Sequence, residues 1–227
     1  TCRAPLPPRM IVQSTFRRSD PNLVNPGRIH LASKSPRRQE LLRQLGVEFD
    51  VLLLRSAAGR APDVVEQTRD GEPPRHYVER IARTKASVGW ERLGKRGLPA
   101  WPVLGADTEV VIDDVVLGKP ADDAHAVEML SRLAGRSHDV LTGVALRFND
   151  DITFALSVSR VKFVALSRAQ IASYVKSGEP KDKAGGYAVQ GRAAAFIERI
   201  EGSYSGIMGL PLFETASLLA RAGLPVL

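Results

Sequence analysis

The chain has 227 residues, 44% hydrophobic and 25% charged, a mixture that fits a folded domain and excludes wholesale disorder. Its net charge of +7 is concentrated near the start, where Arg3, Arg9, Arg17, Arg18 and Arg28 face Asp20 alone and supply about half of the excess. No apolar run nears the roughly 20 residues that span a bilayer, and Cys2 as sole cysteine excludes an intrachain disulfide or cysteine-held metal.

These properties predict a soluble, cytoplasmic protein with no membrane partner. Pro5, Pro7, Pro8, Pro21 and Pro26 among the arginines predict a flexible N-terminal extension over residues 1–28. His30, His76, His125 and His138 lack metal-ligand spacing and are assigned no chemistry.

Residues 29–32 predict a strand that turns through Ser33-Lys34-Ser35-Pro36-Arg37-Arg38 into a helix. Ser35 suits the N-cap, Pro36 the first helical position, and Leu41, Leu42 and Leu45 an apolar stripe before Gly46. Free N–H groups and positive partial charge at a helix start, joined by two hydroxyls and two guanidiniums, make an anion trap. A capped helix with solvated arginines is the other reading.

Residues 47–54 read as a second strand and 55–72 as a loop, and a helix follows Pro73 and Pro74 to about residue 93. Val78, Ile81 and Val88 mark its apolar face. Lys85 lies on that face, either paired in a cleft or snorkelling to water.

Residues 103–112 form an apolar strand interrupted by Asp107 and Glu109, which alternation puts on one face. Their Cα atoms stand about 7 Å apart in an extended strand, so the pair suits a hard cation shared through water or substrate oxygens. A solvent-facing edge is the bland alternative. Asp113-Asp114 turn into a returning strand at 115–117, and Lys119 follows.

The remaining elements are a helix at 122–134, strands at 140–147 and 152–166, a helix at 167–176, a glycine-rich loop at 178–186, a strand at 194–200 and a helix at 211–222. Gln190, after the glycine-rich loop, offers an amide that can read a base edge. Irregular alternation with at least two hairpins predicts one α/β unit over residues 29–227, with a mixed sheet rather than a doubly wound parallel one.

Taken together, Ser33-x-Ser35-Pro36-Arg37-Arg38, Lys85-Ala86, Ala106-Asp107-Thr108, Gly118-Lys119-Pro120, Thr142-Gly143-Val144, Gly178-Glu179-Pro180, Asp182-Lys183-Ala184-Gly185, Gln190-Gly191 and Gly202-Ser203-Tyr204 closely resemble the Maf family in order and spacing. The resemblance implies an elongated mixed α/β fold with two lobes around a cleft, similar to inosine triphosphate pyrophosphatases, and a homodimer. It implies hydrolysis of a nucleoside triphosphate to the monophosphate and pyrophosphate, in the branch that takes dTTP and UTP. It makes Asp107 the catalytic acceptor and a ligand of a divalent cation, magnesium or manganese with cobalt a third candidate, and Glu109 joins the metal on the strand argument above. Ser33, Arg37, Arg38, Lys85 and Lys119 would contact the triphosphate, and Arg37, Thr108 and Gln190 would set base choice.

One segment departs from the family pattern. An acidic cluster is expected soon after the second strand, where this chain has Arg55-Ser56-Ala57-Ala58-Gly59-Arg60, with Asp63 and Glu66 standing nearby. The other functions considered are a cell-division regulator that keeps the fold without turnover, and a nucleic-acid-binding module. No helix carries a basic stripe and aromatics are only 6%, so no nucleic-acid partner is expected.

Overall fold

A computed structural model describes residues 10–11, 27–55, 61–224 and 226. One mixed sheet organises them, in the order β1-β7-β6-β4-β2-β3, with β5 on β4 and β8 on β7. β2 (Arg28–Leu31) runs parallel to β3 (Glu48–Val51) and to β4 (Val103–Ile112), and everything beyond β4 is antiparallel. The parallel half needs crossovers, supplied by α1 (Pro36–Gln44) and α2 (Pro74–Arg96).

The antiparallel half is one long hairpin, β6 (Ser137–Phe148) and β7 (Asp151–Phe163), turned at Asn149, whose φ of 53° suits a tight turn. β5 (Val115–Val116) returns from β4 through Asp113 and Asp114, both in the left-handed region. α3 (Asp123–Leu133) is capped by Asp122 and α4 (Arg168–Lys176) by a full Ser167/Gln170 capping box. β8 (Ile197–Glu201), α5 (Tyr204–Met208) and α6 (Leu212–Arg221) complete the chain.

β4 is buried along nearly its whole length because α2 packs on one face while α1 and α6 help close the other. The buried face of α2 comprises Tyr77, Val78, Ile81, Ala82, Lys85, Ala86, Gly89 and Leu93. Val88, expected on that face, is only half-buried, and Gly89 takes its place against Val103 and Ala32. No helix among the described residues is long and apolar enough to cross a membrane.

Most predicted elements appear within two or three residues of their expected ends. The strand expected at 194–200 begins at Ile197, after a 3-10 turn at Arg192–Phe196, and α5 was not anticipated. Within the expected N-terminal extension, β1 (Met10–Ile11) pairs antiparallel with Leu156 and Ala155 of β7. Residues 1–9 and 12–26 of that segment lie outside the described residues.

Candidate active site

A cleft of about 760 Å³ opens between the start of α1, the middle of β4, the loop before α2, the 182–190 segment and α5. Ser33, Arg37, Arg38, Lys85, Asp107, Thr108, Glu109, Lys119 and Gln190 all line it, so the structure brings every predicted site residue together.

The α1 end is open to anions. Ser35 occupies the N-cap and Pro36 the first helical position, but the Ser35 side chain makes no capping bond, so the first amides are not satisfied by it. Ser33 Oγ instead accepts from Ser35 N at 3.2 Å and from Arg38 Nη1 at 3.3 Å. Arg38 also donates through Nε to Gly209 O at 2.8 Å and through Nη2 to Thr108 Oγ1 at 3.1 Å. Burial lowers the Arg38 pKa, against the opposing pull of the Asp107 and Glu66 carboxylates. Arg37 donates to Met208 O at 3.4 Å. α5 thus supplies or adjoins the carbonyls that aim both arginines, and its N-cap Ser203, bonded to Gly206 N, is the sequence signal for it.

Asp107 and Glu109 point to the same side of β4, at 4% and 9% exposure. Lys85 Nζ lies 2.8 Å from Asp107 Oδ1 and 2.9 Å from Glu66 Oε1, so the lysine is paired in the cleft rather than snorkelling past it. Asp107 Oδ2 and Glu109 Oε2 are buried without a hydrogen-bond partner. Burial, reinforced by the Asp107 carboxylate, pushes the Glu109 carboxyl up to about 8. Two orphaned carboxylate oxygens buried on one face of a strand suit a hard cation. Among the described residues no group of three or more His, Cys, Asp and Glu side chains is placed to hold a metal ion.

At Gly105 the contact between α2 and β4 is made by backbone. Gly105 has no side chain, and a Cβ there would lie 2.6 Å from both Ala82 O and Ala86 N. Lys85 therefore sits one short reach from Asp107.

The loop expected to carry acids delivers one. Residues 56–60 lie outside the described residues, but the stretch after them runs along α2 held by successive ion pairs. Asp63, its side chain 1% exposed, pairs with Arg92 and with Arg55 Nε at 2.9 Å. Glu66 meets Lys85, and Glu72 receives Arg80 through two bonds of 2.6 Å while Arg80 also donates to Gln67 O at 2.9 Å. Of the two nearby acids, Glu66 enters the cleft and Asp63 is an anchor. The Lys85 ammonium, with the Lys119 and Arg38 cations behind it, outweighs burial and holds the Glu66 carboxyl below the usual range.

On the opposite wall, Lys119 and Gln190 are exposed, while Asp182 has a φ of 61°. Glu179, which precedes this segment, accepts from Tyr174 OH at 2.8 Å, Arg192 N at 2.9 Å and Ala193 N at 3.2 Å. It is a strut for the loop that carries Gln190.

Residues 28–222 match the profile of the family described as Maf-like protein. The dTTP/UTP pyrophosphatase of Nitrosomonas europaea is 52% identical over 198 residues, 87% of this chain and 96% of that protein. The protein of the same name from Burkholderia pseudomallei is 55% identical over 196 residues, covering 86% of this chain and 93% of its own. Among solved structures, the Staphylococcus aureus Ham1 protein aligns with a TM-score of 0.40 at 11% identity, covering 60% of this chain and 71% of its own. On the extent of the profile match and the identity to these relatives, the chain belongs to the Maf family.

Proposed function

We propose that this protein is a nucleoside triphosphate pyrophosphatase that hydrolyses dTTP and UTP to the monophosphate and pyrophosphate. The observation that carries the reading is the Lys85–Asp107 contact, 2.8 Å, with the free Asp107 oxygen buried beside Glu109 in a cleft rimmed by cations. The names of its relatives, with which it shares about half of its residues, support the same activity.

In this reading the β- and γ-phosphates lie on the amides that open α1, with Ser33, Arg37, Arg38, Lys85 and Lys119 around them. Water attacks the α-phosphorus, its oxygen forming the new P–O bond while the bond to the β-phosphate bridge oxygen breaks. Asp107 accepts the proton released by the water, and the cations stabilise the charge that collects on departing pyrophosphate. Asp107 and Glu109 would hold a divalent cation, which supplies charge neutralisation and a more acidic water. Lys85 has three protons, two already directed at Asp107 and Glu66, so the third is available to a phosphate oxygen.

Arg37, Thr108 and Gln190 are the residues proposed to read the base. A homodimer in the cytoplasm belongs to the same reading, and magnesium, manganese and cobalt are the cations to try. The test is pyrophosphate release from UTP, dTTP, CTP, dCTP, ATP and GTP with each cation. Release from UTP and dTTP at least about tenfold more efficient than from CTP or ATP is expected. No release from any triphosphate, or orthophosphate with a diphosphate as the main products, would refute it.

A further inference from the structure

The chain is tied down on both sides of Gln190, and by different means. Before it, Tyr187, Ala188 and Val189 are buried, and Gly185 N–H donates to Gly118 O at 2.7 Å. After it, two successive amides are taken by one side chain: Glu179 accepts from Arg192 N at 2.9 Å through Oε2 and from Ala193 N at 3.2 Å through Oε1. These amides open the 3-10 turn at Arg192–Phe196, whose N-cap, Gly191, has no side chain to receive them. The carboxylate lies so close to the main chain that a Cβ at Gly191 would collide with it.

Tyr174 steadies that carboxylate. Its hydroxyl donates to Glu179 Oε1 at 2.8 Å, its ring stands edge-on to Phe196, and the backbone of Ala188 is a further hydrogen-bond partner of the same hydroxyl. The Tyr174–Glu179 pair thus reaches the main chain at Ala188 before Gln190 and at Arg192 and Ala193 after it. Burial raises the Glu179 pKa, but the bonds from Arg192 N, Tyr174 and Ala193 N outweigh it and hold the carboxyl below its usual range, so the acceptor is charged at neutral pH.

We propose that Glu179 is a specificity-determining positioning residue: by fixing the backbone beside Gln190, it aims the exposed Gln190 amide at the base. The inference rests on the reading of Gln190 as a contact to uracil or thymine, and carries it back to the group that sets where the amide stands. Gln190 is exposed, so its aim depends on its backbone more than on packing. Glu179 and Tyr174 stand outside the lining of the cleft, and their effect on base choice is transmitted through the loop.

The experiment measures kcat and KM for UTP and CTP in the parent, Glu179→Gln, Tyr174→Phe, Gln190→Ala and each of the first two combined with Gln190→Ala. Glutamine keeps the volume of Glu179 but puts an NH2 group against a backbone N–H, donor against donor. The ratio of kcat/KM for UTP to that for CTP compares two bases on the same triphosphate, so the lost charge cancels. That ratio should fall about fivefold in Glu179→Gln, through a higher KM for UTP with kcat little changed. It should fall in the same direction in Tyr174→Phe, which carries the comparison should the glutamine variant fail to fold. Added to Gln190→Ala, either change should lower the ratio no further, because the group it aims is gone. An unchanged ratio in the folded variants, or an equal additional fall on top of Gln190→Ala, overturns the positioning role while leaving the pyrimidine preference standing. A parent that cleaves UTP and CTP alike overturns the pyrimidine reading itself, and this inference with it.

Discussion

Lys85 and Asp107 meet 2.8 Å apart where the middle of a 23-residue helix crosses the middle of a ten-residue strand. Removing the charge while keeping the shape separates catalysis from folding. Asp107→Asn should lower kcat by about a thousandfold or more, because an amide neither takes a proton nor holds a cation well. Glu66 still pairs with Lys85, so the melting temperature should stay within a few degrees of the parent. Pyrophosphate release and a thermal melt read the two effects, and near-parental turnover in the folded variant would remove Asp107 from the chemistry.

Gln190 is exposed on the cleft wall, and its amide offers both a donor and an acceptor to a base carrying a carbonyl beside an N–H. Gln190→Ala should reduce kcat/KM for UTP and dTTP by about tenfold and change CTP or ATP much less. The triphosphate contacts are untouched, so the loss should be confined to the preferred bases. An equal loss for every nucleotide would assign Gln190 to the loop rather than to base reading.

His138 is 3% exposed, with Nε2 at 2.8 Å from Tyr187 OH and the Phe163 ring edge-on to both. Burial lowers its pKa from 6.5 to about 3, so the native state keeps it neutral. The unfolded chain takes up the proton below pH 6.5 and the folded one does not, so this contribution is full above pH 6.5 and is lost progressively toward pH 3. The slope approaches about 1.4 kcal/mol per pH unit. Urea unfolding at pH 7 and pH 5 should show the parent losing about 2 kcal/mol more than His138→Leu, measured as the difference between the two drops. Equal drops would mean that His138 titrates in the native protein.

The anchored stretch along α2 yields a prediction about order. Asp63→Ala removes the partner of Arg92 and of Arg55 at one end of the segment that presents Glu66. Amides of residues 61–72 should exchange faster with solvent deuterium, and KM for UTP should rise about fivefold, the equivalent of roughly 1 kcal/mol. The kcat should change far less, because Asp107 and its strand do not move. Unaltered exchange in 61–72 would show that Arg80 and Lys85 hold the segment unaided.

The parts of the fold that could be read from the residues were those where local rules agree. Ser35-Pro36 opening a helix and the apolar run of β4 express short-range preferences that packing then reinforces, whereas the helix expected to end at about residue 93 runs on through Gly94 to Arg96 and is closed by Gly97 at a φ of 62°. β4 showed its two acids for the same reason, since alternation is local. α5 is five residues long and carries little periodicity, and the carbonyls it offers have no side-chain signature, which leaves Ser203 at its N-cap as the local signal. The pairing of Glu66 with Lys85 spans 19 positions through an irregular loop, and the ion pairs on either side help to fix it.

Gly105 acts as a spacer of zero length. Because the gap between α2 and β4 there is closed by main chain on main chain, the reach from Lys85 to Asp107 is set by the thickness of two peptide planes. Such a gauge cannot be adjusted in small increments: the smallest available substitution adds a whole carbon where none fits, and the lever arm of the helix would carry the error to Lys85. The spacing at the centre of the cleft is therefore kept whole or lost.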